Sequence, residues 1–73
     1  HAPFGFDFAG SRLVDNGDEQ SVIRDMLRLR AQGMTLRQMA CELEQRGVRT
    51  KGDKAKWNHR TVDAILKRER QAA

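Results

Sequence analysis

The sequence predicts a mainly α domain: three helices, the second and third joined by an enlarged, wing-like connector, with an extended segment or small β-hairpin in front. Two observations carry this. Apolar residues recur at helical spacing in three segments, each opened by an N-cap residue, the first two closed by glycine, and an alternating run of three phenylalanines stands before them. At 73 residues the chain is one small domain, near the size at which folding buries only about 60% of the unfolded surface. We divide it into an extended or hairpin segment over 1–15, a three-helix core over 16–70 and a tail over 71–73.

Phe4, Phe6 and Phe8 alternate with Gly5 and Asp7, so in an extended strand the three rings share one face. Gly10-Ser11 interrupts the strand. Leu13-Val14 can return as a second one before Asp15-Asn16-Gly17 breaks the chain again. We expect the rings to cover one side of a helical core rather than to form the base-stacking platform of a single-strand binder.

The first helix is expected to start near Asn16 or Asp18, either of which can cap free backbone N–H groups, and to end at Gly33. Its inward face is predicted as Val22, Ile23, Met26 and Leu27, with the aliphatic stem of Arg30. The second helix opens on Thr35-x-x-Gln38, a capping box, with Met34 placed to staple onto Met39. Leu36, Met39, Ala40 and Leu43 form its apolar stripe, and Gly47 supplies the stop. In the third helix Asn58 is the N-cap, Trp57 can staple onto Val62, and Val62, Ile65 and Leu66 are the buried stripe. Its outward positions are His59, Arg60, Asp63, Lys67 and Arg70, with Thr61 at the edge.

The connector, residues 48–56, holds Arg49, Lys51, Lys54 and Lys56 around Gly52-Asp53, and is long enough for a short hairpin or wing between Val48 and Trp57. Trp57 is expected in the core rather than stacked on a base. Charge is divided along the chain. Residues 1–45 carry five basic and seven acidic side chains, whereas residues 46–73 carry nine basic and three acidic ones. The second part therefore presents a positive field that attracts polyanions.

Several function classes fit poorly. The lone Cys41 makes no internal disulfide, which suits a reducing, cytosolic setting; with no second cysteine or histidine at ligand spacing, it reads as an inert small side chain. No apolar run approaches the roughly 20 residues that span a bilayer. Ser11 and Ser21 lack a base and the arginine cluster of a phosphoryl-transfer site, so no catalytic residue, metal or cofactor is expected. The opening His1-Ala2-Pro3, without methionine, suggests a piece cut from a longer protein or the remnant of a tag at His1 rather than a natural beginning.

The order of these motifs resembles the recombinase domain of large serine recombinases, the DNA-binding module that follows their resolvase-like catalytic domain. The resemblance runs through Pro3-Phe4-Gly5-Phe6, Asp18-Glu19, Gly33 to Ala40, Leu43, Arg46-Gly47-Val48, Lys56-Trp57, Thr61-Val62 and Ile65-Leu66. Three features depart from the pattern. Arg49-Thr50 stands where a proline-containing turn is common, Asn58 replaces a serine or threonine cap, and Lys67 to Arg70 replaces an Asn-Pro element. The resemblance implies a domain that helps bind half of a recombination site in a bacterial or phage cytoplasm, at the nucleoid, with strand exchange done by a catalytic domain in the same parent chain.

Two capped helices around a basic connector are the layout of a helix-turn-helix reader with an enlarged turn. The expected partner is double-stranded DNA, contacted by Arg49, Lys51, Lys54, Lys56, Asn58, His59, Arg60, Thr61, Asp63 and Lys67. Two alternatives stay open: a free-standing helix-turn-helix transcription regulator, and a module whose basic face docks an acidic protein.

Overall fold

The computed structural model describes residues 2–72; His1, at the opening without methionine, and Ala73, the last residue of the expected tail, lie outside them. The chain runs β1 (Phe6–Ala9), β2 (Arg12–Asp15), α1 (Gly17–Ala31), α2 (Leu36–Gln45) and α3 (His59–Ala72). The strands pair antiparallel, with Phe6 opposite Asp15 and Phe8 opposite Leu13. The expected hairpin and three helices are present. α3 passes the expected end at residue 70, because Gln71 and Ala72 are good helix formers and neither glycine nor proline intervenes.

The helix ends are set locally. Asn16 accepts a hydrogen bond from the Glu19 amide (3.0 Å) and so caps α1. At α2 the capping box is complete: the Gln38 amide donates to the Thr35 hydroxyl (3.1 Å), and the Thr35 amide donates to the Gln38 side chain (2.9 Å). Past α2 the Gly47 and Val48 amides donate to the carbonyls of Glu44 and Leu43, the paired bonds of a Schellman motif. Gly47 sits at φ 75° there, a conformation that costs any residue with a Cβ.

The core is one cluster in which Ile23 and Met26 of α1, Met39, Ala40 and Leu43 of α2, and Val62, Ile65 and Leu66 of α3 meet Phe4 and Trp57. Each large side chain buried in it contributes about 1.5–3 kcal/mol of transfer free energy. Met34, placed to staple onto Met39, packs against this cluster. Trp57 is held at three points: its ring meets Phe4 edge-on at 5.4 Å, its indole N–H donates to the Val48 carbonyl (2.8 Å), and its backbone amide donates to Glu44 Oε2 (2.8 Å). Both ends of the connector are thereby fixed to the core.

Three expectations are corrected. The phenylalanines do not share one buried face: a turn closed by the Phe6 amide and the Pro3 carbonyl drops Phe4 into the core, Phe6 is half-buried, and Phe8 is 56% exposed where the hairpin extends past the helices. On α1 it is Leu29, not Leu27, that reaches the core, since α2 and α3 approach from the Met26 side; Leu27 is exposed, and the Arg30 guanidinium instead donates to the Met34 carbonyl (2.8 Å). The connector is a turn rather than a strand pair. The Thr50 amide donates to the Lys54 carbonyl (2.9 Å) and the Asp53 amide to the Thr50 carbonyl (2.8 Å), which close a tight turn, and the Lys54 amide donates to the Thr50 hydroxyl (3.1 Å) in place of a further rung.

Candidate nucleic-acid interface

α3 buries Val62, Ile65 and Leu66, so at 100° per residue the positions farthest from the core are Arg60, Ala64 and Lys67 over its first turns, spaced i, i+4 and i+7, with Gln71 continuing the line near its end; all are exposed. This is the outer ridge of the helix. Asn58 Oδ1 accepts from the Arg60 amide (2.8 Å), so its side chain is engaged in starting the helix. Lys67 pairs with Asp63 at 2.9 Å, with both side chains well exposed, so either can change partners at small cost.

The two flanks of this ridge face different elements. Lys51 and Gly52 of the connector line a groove of about 470 Å³ with Thr61, Ala64 and Arg68 of α3. On the other flank, Arg37 and Cys41 of α2 line a shallower depression with Asn58 and His59. The connector and the first turn of α2 thus lie on opposite sides of α3.

Of the four basic connector residues, Arg49, Lys54 and Lys56 are exposed. Arg49 reaches the Asp53 carbonyl at 3.4 Å, a weak tie across the turn. Lys51 is different. Its ammonium lies 2.8 Å from Asp7 Oδ1 and 3.0 Å from Glu19 Oε1 and also donates to the Phe6 carbonyl, which ties the connector to the hairpin and α1. These bonds hold the Asp7 carboxyl below its ordinary value of 3.8, chiefly through the hydrogen bond from Lys51, and hold Lys51 above its ordinary 10.5, chiefly through the bond to Asp7. Arg68 likewise faces inward, donating to the Phe4 carbonyl and standing 5.8 Å from the Phe6 ring centre.

The ten residues named from the sequence therefore divide by position. Arg60 and Lys67 stand on the ridge, Thr61 on the connector flank, His59 and Asp63 on the α2 flank, Arg49, Lys54 and Lys56 on the connector, Asn58 at the cap, and Lys51 in the tie. Ala64 and Arg37 also border α3's outer face and are not among the ten. Ala64 reads as a core residue by composition, although its i+4 spacing from Arg60 placed it outward; nothing local to Arg37 tells that α2 packs its first turn beside His59. No group of three or more His, Cys, Asp or Glu side chains among the described residues is arranged to hold a metal ion. No helix among them is long and apolar enough to cross a membrane.

The family model described as Recombinase matches residues 17–72, from the first residue of α1 to the end of α3. The chain belongs to the Recombinase family. No curated protein and no solved structure matches it. The matched span of the recombinase domain contains all three helices and the connector, while the hairpin and the Pro3-Phe4-Gly5-Phe6 segment precede it. Membership ties the domain to DNA recombination, and so to DNA as its partner.

Proposed function

We propose that this recombinase domain binds double-stranded DNA as the helix-turn-helix module of a serine site-specific recombinase, recognising part of a recombination site while a separate catalytic domain exchanges strands. The observation that carries the reading is the α3 ridge. A helix whose outer positions are Arg60, Ala64 and Lys67, bordered by a basic connector, suits entry into a major groove about 12 Å wide. Arg60 reads a guanine edge through paired donors. Ala64 meets a thymine methyl, and Asp63 accepts from a cytosine amino group once Lys67 turns to a phosphate. Arg49, Lys54 and Lys56 hold phosphates, which fix register and carry no sequence information.

The reading is tested by titrating candidate-site and random duplexes with Arg60→Ala and Lys54→Ala. Arg60→Ala is expected to lose about 1–3 kcal/mol on the preferred site and little on random sequence. Lys54→Ala is expected to weaken both alike. Equal, sequence-blind losses from the two changes would remove the reading role from Arg60. Equal binding to DNA and heparin by the unsubstituted domain would favour a module that docks an acidic protein.

A further inference from the structure

Arg37 is exposed on the first turn of α2, and among the described residues no ion pair engages it. The acidic side chain that shares its depression, Glu44, accepts from the Trp57 amide at 2.8 Å and makes no ion pair with Arg37. Its other neighbours there are Cys41, Asn58 and His59, none of which bears a negative charge to hold a guanidinium. Arg37 therefore stands as an exposed cation outside the ion pairs of the described residues, on the flank of α3 opposite the connector.

A helix with its side chains is about 10–12 Å across, close to the width of the groove it would enter, so elements on its two flanks meet the two phosphate walls. We infer that Arg37 is a positioning residue that contacts the DNA backbone on one wall of the groove, while the connector contacts the other. The inference rests on the DNA-binding reading above. The α3 ridge is then bracketed by cations, and the bracket fixes its rotation about its own axis and hence which side chains reach base edges. Arginine suits such a contact because its fork donates two parallel bonds to a phosphate.

The test is fluorescence anisotropy of the whole domain on a mixed-sequence duplex across a sodium chloride series, comparing Arg37→Ala, Lys54→Ala, the double variant, Arg37→Lys and Arg24→Ala. Each phosphate contact removed lowers the slope of log affinity against log salt by about 0.9. Arg37→Ala and Lys54→Ala are each expected to lose about that much and the double variant about twice it, because the two phosphates are independent. Arg37→Lys should restore the slope. Arg24→Ala, a charge loss on the exposed side of α1, should leave it unchanged. An unchanged slope for Arg37→Ala, an equal loss from Arg24→Ala, or a double variant no worse than a single one would overturn the inference while the DNA-binding reading stands. Absence of salt-dependent duplex binding by the unsubstituted domain would overturn both.

Discussion

Gly5 shows how one residue can fix the junction of two elements. Its φ is 103°, outside the range that residues with a Cβ adopt cheaply, and an added Cβ would come 2.6 Å from Ile23 Cδ1 and 2.9 Å from Gln20 Nε2. Its backbone is fully used: its amide donates to Glu19 Oε1 (2.8 Å), and its carbonyl accepts from the Gln20 side chain (2.8 Å) and the Asn16 amide (2.9 Å). Gly5→Ala is expected to cost about 1–3 kcal/mol of stability, measured by urea denaturation. A loss below a few tenths would contradict this account of the junction. Lys51 makes a second such claim. Asp7, with its lowered pKa, stabilises the fold above the ordinary 3.8 and loses that contribution as pH falls through its folded-state value; Lys51, with its raised pKa, contributes below 10.5 and loses it as pH rises through its own. Asp7 is exposed and Lys51 half-buried, so solvent screens the pair, the effect on total stability is small and local order is the sensitive readout. In an NMR acid titration, connector and hairpin amides should shift together below about pH 3.8, and Lys51→Gln should uncouple them. Independent titration of the two segments in the unsubstituted domain would contradict the tie.

At the scale of elements, the helix boundaries were legible because they depend on neighbours in sequence. Thr35 with Gln38, Asn16 with Glu19, and Gly47 after a run ending at Leu43 each act within a few positions. What was not legible depends on packing direction or distant partners. Met26 and Leu27 are equally good successors to Ile23 on a helix, and only the approach of the other helices chooses between them. Lys51 reads as one more connector cation, because its partners Glu19 and Asp7 lie 32 and 44 positions away. The site was legible in the same measure. The residues of α3 followed from its buried stripe, whereas the placement of Arg37 required the α2–α3 contact. Arg60 on the ridge and Lys54 on the connector differ at this scale: under the proposed reading the first would meet base edges and the second phosphates.

For the whole molecule, the division of charge along the chain becomes a division in space. The acidic side chains of the first part are largely engaged in internal bonds: Asp7 and Glu19 with Lys51, Asp25 with Arg28 and Arg46, Glu42 with Arg46, and Glu44 with the Trp57 amide. Arg49, Lys54, Lys56 and Arg60 stay exposed around the start of α3, and Arg37 adds a charge on its far flank. The resulting field falls on the face where the helix would enter DNA, so under the proposed reading long-range capture and short-range reading would use the same surface. The central claim is that base reading lies at residues 58–63 and at Ala64, and that phosphate holding lies on the connector, at Lys67 and at Arg37. The most direct measurement is NMR shift mapping of the domain with a candidate-site duplex and with a random one. The account predicts that His59, Arg60, Asp63 and Ala64 respond only to the candidate site, while Arg37, Arg49, Lys54 and Lys56 respond to both. Identical responses to the two duplexes along α3, or perturbations centred on the hairpin, would contradict it.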